Sequence, residues 1–506
     1  MSDAKAPKKG SGGADATAWL AVAAGTIGAF MATLDTSIVN TALPKIQGEI
    51  GASQTEGTWI STAYLVAEIV MIPLAGWFEK MLSLRVLLLF STIVFTASSI
   101  FCGLSENLVE MIIGRVGQGF SGGAFIPTAL SIVATRLPPE KQPIGTALFG
   151  VTAVMGPVLG PILGGYLAEF YSWHYCFFIN LPVGIGLFAL LMIGVKAEPM
   201  QLDRLRDADV LGIIGLALGL GALTVVLEEG QRDNWFDSEL IRNLAGLSFI
   251  GFICLFAGQF VAKRPVIALK ILKIPAFAGV FVMSLVVGGA LYGTLYLVPQ
   301  YLSEVSNYNS YDAGLFTAIS GGPTMALMVV FPLVLRTIGM RYLVAFGLIL
   351  YGSSCLSNSF LSSDAAGPQL VQGQLLRGVA MFFSLLMLNQ AAATAVSKEY
   401  APDASGLFNA ARNLGGSFGL ALIATMQERR GNFHHERIVE ALDMVQVRAK
   451  LPNIGLAQLN QLVDAQSNVM TYNDMFFVFS MVLFATVPLV FFLKTEPVKR
   501  GPQAGG

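Results

Sequence analysis

Residues 156–165 read Gly-Pro-Val-Leu-Gly-Pro-Ile-Leu-Gly-Gly, inside an apolar run from about 143 to 169. Such a run reaches the roughly 20 residues that a helix needs to cross a bilayer. Gly156, Gly160 and Gly164 recur every four residues, so a helix carries them on one face, with Gly165 beside them. That face lets another backbone approach closely. Pro157 and Pro161 each remove a ladder hydrogen bond and bend the helix. Small-residue packing is common in membrane bundles, whereas a doubled Gly-Pro repeat is far more specific.

The chain around this helix has the same character. Of its 506 residues, 54% are hydrophobic and 12% charged, and mean hydropathy is +0.65. A soluble chain carries about 25% charged residues. Apolar runs fall near 18–41, 57–78, 86–105, 109–134, 143–169, 174–195, 208–228, 240–262, 275–302, 312–334, 341–361, 369–396, 405–426 and 474–494. The expectation is an all-α polytopic membrane protein with about fourteen spans. A flexible tail at 1–17 precedes a six-helix bundle at 18–195, two additional helices at 196–274, and a second bundle at 275–495. A short tail, 496–506, closes the chain, and no removable signal peptide is expected.

Charge gives this arrangement an orientation. Twenty of the 31 Lys and Arg fall in segments on the side of the termini and eight on the other, five of those eight in one loop. The positive-inside bias places both termini in the cytoplasm. Two arginines open comparable spans: Arg115 in IIGRVGQGF and Arg377 in LLRGVAMFF. Each half then has a Gly-rich helix, at 156–165 and 412–419, which suggests two related six-helix halves. One sizeable outer loop, 427–473, carries two amphipathic stretches, Phe433 to Lys450 and Leu456 to Val469, separated by Pro452. Those stretches read as a short helical hairpin over the outer mouth.

Charges inside spans are the stronger functional signal. Asp35 lies in FMATLDTSIVNTALP, and a carboxylate at such depth is a functional candidate by default. A helix rise of 1.5 Å per residue puts Asp35 and Arg115 each about 9 Å inside the outer ends of their spans, a matched depth that permits a pair. Glu68, in AYLVAEIVMIP, falls near the middle of span two, with Arg115 as its obvious basic neighbour. Burial favours a neutral Glu68 and an adjacent Arg favours an ionised Asp35, so a proton relay between them is expected.

Little suggests catalysis. Three histidines (His174, His434, His435) and four dispersed cysteines form no metal or redox spacing, and no phosphate-cradling loop is present. No enzyme activity, metal, cofactor or nucleic-acid partner is expected.

LDTSIVNTALP, GRVGQG and GPVLGPILGG, with FFINLPVGI at 177–185, VLEEGQRDNWF at 226–236 and RNLGGSFG at 412–419, resemble motifs of the major facilitator superfamily. The likeness is to its fourteen-span drug:proton antiporter branch (EmrB/QacA-type) and covers nearly the whole chain. It implies two six-helix bundles plus two interposed helices, with export of lipophilic compounds across the bacterial inner membrane against a proton gradient. By position it links Asp35 and Arg115 to proton transfer, and Gly156, Pro157, Gly160, Pro161, Gly164 and Gly165 to a bent helix that seals the halves against proton leak. The 427–473 loop fits members that hand drugs to a periplasmic adaptor and an outer-membrane channel.

The chain also departs from the branch. Its inner-gate loop reads GWFEKMLSLR, keeping Gly76 but placing Glu79 and Lys80 where relatives have Asp and Arg; Ser83 replaces a glycine, and Arg85 follows. The gate's charge network is therefore in question. His174 stands where an Arg is usual, and reads as structural. Tyr292, Tyr296, Gln300, Arg377, Asn389 and Arg412 are candidate cavity residues. An exporter of one metabolite or siderophore, or a non-transporting membrane enzyme or scaffold, are the alternatives.

Overall fold

The computed structural model describes residues 16–138, 140–263, 265–328, 338–442 and 455–493. Most of both expected tails, and the centre of the outer loop at 443–454 with Pro452, lie outside these residues. Among the described residues fourteen main helices follow one another: α1 (Ala16–Ile50), α2 (Trp59–Leu82), α3 (Leu84–Gly103), α4 (in two pieces, Leu108–Gly122 and Phe125–Arg136) and α5 (Gln142–Phe170). Next come α6 (His174–Gly194), α7 (Val210–Glu229), α8 (Glu239–Val261), α9 (Pro275–Glu304) and α10 (Ser310–Ala318, continuing after a turn at 321–328). The last are α11 (Met340–Ser357), α12 (Gly367–Ala395), α13 (Ala401–Ala441) and α14 (Leu456–Thr486). Eleven of these are long and apolar enough to cross a membrane, and no strand occurs among the described residues.

The helices sort by packing. In the first half α1 lies along α5, α4 and α6, and α2 and α3 lie along α4. In the second, α9 lies along α13, α11 along α12 and α14, and α13 along α14. Helices α7 and α8 pack chiefly on each other, with α7 also touching α2 and α13. Glycine makes that intimacy possible: a Cβ at Gly251 would meet the Gly219 backbone, and one at Gly215 the Gly251 carbonyl oxygen.

Side-chain contacts define the two ends of the bundle. Arg341, opening α11, donates to the carbonyls of Phe491 and Leu493 after α14 (2.8 and 2.7 Å), and Lys80 near the end of α2 reaches Asp403 at the start of α13. This is the terminal face. The opposite, hairpin face differs from expectation. Instead of a separate hairpin after a span ending near 426, α13 runs unbroken to Ala441, and α14 begins at Leu456 rather than near 474. Arg430 and His434 both reach Asp474 across that hairpin, at 2.6 and 2.8 Å. Those contacts, with Ser467 donating to the Gly431 carbonyl at 2.8 Å, extend the two helices beyond the apolar runs that marked them in sequence.

Helix α1 likewise runs past its expected end at 41 to Ile50, so Asp35 lies deeper from the helix end than the apolar run suggested. Three of the four cysteines are buried, and Cys254 is half-buried.

Candidate functional site

Five helices of the first half meet around Asp35. The carboxylate and the Arg115 guanidinium are both fully buried, with Arg115 Nη1 2.6 Å from Asp35 Oδ2. Asp35 Oδ1 accepts from Gln118 Nε2 at 2.9 Å and from Asn180 Nδ2 at 2.6 Å. Both amides also donate to Ser99 Oγ (3.1 and 2.9 Å), whose hydroxyl donates in turn to the Phe177 carbonyl at 2.8 Å. On the other side Arg115 Nε donates to the Ile60 carbonyl at 3.1 Å, and its guanidinium sits 4.3 Å from the Tyr64 ring centroid. A buried ion pair holds only when its remaining hydrogen-bonding capacity is met, and nearly all of it is met here. Arg115 Nη2 alone has no partner.

The pairing of Asp35 with Arg115 follows the matched depth in sequence. The amide ring around it was missed, although Gln118 stands three residues after Arg115 in GRVGQG and Asn180 stands in FFINLP. Three residues is nearly one helical turn, so Gln118 must share the Arg115 face.

Glu68 is buried nearer the seam between the halves and makes no salt bridge among the described residues. Arg115 acts on it, as expected, and so does Arg412 of α13, which the sequence reading did not connect with it. The reason is topological: α13 packs directly on α2, which the sequence of one half alone does not reveal. A small crevice beside Glu68 is also lined by Tyr292, Asn413 and Glu228, a carboxylate that sequence reading passed over.

A central cavity of about 70 Å³ lies between the halves, with Thr33, Phe149, Pro157, Tyr292, Met381 and Arg412 in its wall. Drug-sized pockets need about 300 Å³ or more, so the halves are closed around this space. Of the candidate cavity residues, Tyr292 and Arg412 line it. Tyr296 does not: it is 44% exposed. Gln300 sits at the hairpin face, bonded to Glu304 and Gln427. Asn389 is buried and is not part of its lining, and Arg377 is buried against the carbonyls of Thr294 (3.2 Å) and Thr317 (3.3 Å) and the Ser320 hydroxyl (3.0 Å). Those misplacements share a cause, since apolar spans show which residues are in the membrane but not which face is inward.

The Gly-Pro helix packs as its spacing dictates. A Cβ on Gly156 would collide with Thr33, one on Gly160 with Ser37, and one on Gly164 would lie 2.7 Å from the Ile38 carbonyl oxygen. Gly165 is different, with its nearest neighbour 4.0 Å away. Pro161 touches the second half at Gly314.

At the terminal face Lys80 Nζ meets Asp403 Oδ2 at 2.8 Å, joining the halves. Gly76 packs on Pro402, and Ser405 donates to the Pro127 carbonyl at 3.3 Å. Glu79 turns the other way and accepts from Ser131 at 2.9 Å, while Arg85 lies 3.2 Å from the Met192 sulfur. His174 stacks on Trp173 at 3.7 Å and bonds Ser172 at 2.6 Å.

The family model for the Major Facilitator Superfamily matches residues 25–420. The chain belongs to that superfamily. Over 94% of its length it is 30% identical to the colistin resistance protein EmrB of Acinetobacter baumannii, covering 96% of that protein. It is 31% identical over 95% of its length to the multidrug export protein EmrB of Escherichia coli, covering 96% of it. It is also 31% identical over 96% of its length to the fatty acid resistance protein FarB of Neisseria gonorrhoeae, covering 97% of it. Among solved structures, the proton:xylose symporter XylE (TM-score 0.61, 14% identity, 94% of this chain and 97% of that one) shares the fold. The human organic anion transporter MFSD10 does so too (TM-score 0.58, 16% identity, 92% and 99%). This chain is an EmrB-type major facilitator transporter and not an enzyme.

Proposed function

We propose that this transporter exports lipophilic small molecules, cationic or neutral, across the bacterial inner membrane in exchange for protons. The observation that carries the reading is the contrast between two of its buried carboxylates, Asp35 and Glu68. Asp35 is held by one guanidinium and two amides, whereas Glu68 has no such partner among the described residues and stands on α2 where α13, the helix of Arg412, packs against it. A carboxylate free of fixed donors takes up and releases a proton at small structural cost, and one so tightly held changes charge only when its helices move apart. Glu68 is then the group that exchanges protons, and the Asp35–Arg115 pair is the element that opens when the halves rock. The gradient supplies the energy without a cofactor: a membrane potential contributes about 2.3 kcal/mol per charge per 100 mV.

The names of the relatives support breadth of substrate, since colistin, drugs and fatty acids share little beyond amphiphilic character. Both termini lie in the cytoplasm in this reading, in accord with the charge bias. The extended α13–α14 hairpin then projects into the periplasm, where an adaptor leading to an outer-membrane channel would meet it. Cross-linking at the exposed Leu462, with and without that adaptor, checks the last step.

Purified protein in liposomes tests the core of the reading. An imposed pH gradient drives accumulation of a lipophilic dye, and Asp35→Asn abolishes it. Dye movement indifferent to a protonophore would sink the antiport mechanism.

A further inference from the structure

A much larger cavity than the central one opens elsewhere. It measures about 870 Å³ and opens at the terminal face, between α8, the 262–274 linker, and the meeting of α2 with α13. Its wall carries five cations, Lys80, Arg204, Lys263, Lys270 and Lys273, against three carboxylates, Asp207, Glu399 and Asp403. One of those carboxylates is already committed to Lys80. Lys270 donates to the Tyr400 hydroxyl at 2.6 Å, which holds its ammonium charged. Lys263 and Lys273 are exposed and make no ion pair among the described residues. The groove therefore offers unneutralised positive charge.

Two further features give the groove a direction. Gln259 Nε2, in its wall, is a buried donor with no partner among the described residues, and such a group is costly unless something fills the space. Beside it Phe256 and Phe260 of α8 are 57% and 90% exposed. Helix α8 is the least buried of the apolar spans, so these rings face hydrocarbon. Val261 ends the apolar span α8 and Pro275 opens α9, so the described residues between them follow a span end, where headgroups sit. Basic pockets at the ends of membrane helices with an apolar flank suit phosphate-bearing lipid headgroups.

We propose that this groove binds an anionic phospholipid, with its phosphodiester among Arg204, Lys263 and Lys273 and an acyl chain along Phe256 and Phe260. A soluble anion would use the cations and leave the aromatic flank idle. A zwitterionic lipid would bring a second ammonium into an already positive wall. Occupancy has a consequence for transport, because Lys80 and Asp403, which join the halves, form part of the same wall. The proposal does not depend on proton coupling.

The test uses the full-length purified protein in detergent, titrated with phosphatidylglycerol, phosphatidylethanolamine or inorganic phosphate. Lipid retention is read by native mass spectrometry, and stability by the melting temperature. Phosphatidylglycerol is retained and raises the melting temperature, while the other two do neither. The paired substitution Lys263→Gln with Lys273→Gln weakens phosphatidylglycerol binding on the order of thirtyfold, about fivefold per charge removed. Lys263→Arg with Lys273→Arg preserves binding, and Lys196→Gln, outside the groove, leaves it unchanged. Equal retention of both lipids, wild-type binding by the glutamine pair, or a full stabilising effect from phosphate alone would each overturn the assignment.

Discussion

Each half of this transporter buries one arginine in its fourth helix, and the two are satisfied by different chemistry. Arg115 meets a carboxylate at 2.6 Å, with two amides and a serine behind it. Among the described residues Arg377 meets only neutral oxygens, from Thr294, Thr317 and Ser320. The local backbones correspond: α4 breaks at Gly123–Ala124, a few residues after Arg115, and α12 widens into a π turn at Phe382–Leu386, a few residues after Arg377. A common scaffold has thus been fitted with a titratable partner in one half and with fixed dipoles in the other. On the proposed mechanism the difference puts the chemistry in the first half and scaffolding in the second.

Asp35→Asn breaks that comparison most directly. The amide leaves Arg115 buried without its counter-charge, and removing one partner of a buried pair costs about 3 kcal/mol or more. Gradient-driven dye uptake in liposomes falls to background, and the melting temperature drops. Uptake at the wild-type rate would mean that the two halves are equivalent after all.

The two arginines give the next contrast. Arg115→Gln strands the Asp35 carboxylate and abolishes coupled uptake. Arg377→Gln strands no charge; it forfeits hydrogen bonds from a charged donor, for a loss of about 1–3 kcal/mol in stability, and uptake continues. Parallel uptake and melting measurements on the two variants separate coupling from scaffolding. A loss of coupling in Arg377→Gln with its fold intact would place chemistry in both halves.

How far these contrasts were visible beforehand depends on geometry. Helix number and identity were legible because apolar runs of membrane length have few alternative fates, and the glycines of α5 were legible because a spacing of four fixes a face. Asp35 and Arg115 were legible as a pair because each is an isolated charge at a similar depth. The link between Glu68 and Arg412 was not, since it joins residues 344 positions apart across an interface that no local pattern encodes. Tyr296 and Gln300 were placed in the cavity on membrane depth alone, and the rotation of α9 put them elsewhere. The helix ends at Ile50 and Leu456 were missed because polar, amphipathic turns continue helices that hydropathy alone had ended.

Within α5 the same style of contrast holds on a smaller scale. A methyl group at Gly164 must push against the Ile38 carbonyl oxygen one turn from Asp35, whereas one at Gly165 reaches no neighbour nearer than 4.0 Å. Overpacking of this kind costs about 1–3 kcal/mol. Gly164→Ala therefore lowers the melting temperature and the uptake rate, and Gly165→Ala stays within about 0.5 kcal/mol of wild type. Equal effects at the two positions would show that α1 and α5 are not held at the separation seen here.

The smallest effect belongs to the pair that joins the halves, Lys80 with Asp403. Lys80 is 34% exposed at its side chain while Asp403 is 5% exposed, so water screens one partner and not the other. A partly exposed pair contributes about 1 kcal/mol or less, and a double-mutant cycle of Lys80→Gln and Asp403→Asn in melting experiments returns a coupling energy of that size. Asp403→Asn alone costs more than Lys80→Gln alone, because the buried member leaves the larger gap. The effect on transport is larger in kind than in size: with the halves less tightly joined at the terminal face, dye added from that side binds faster, while coupling through Asp35 and Arg115 persists. A coupling energy well above 1 kcal/mol would instead make this pair a principal lock of the closed state.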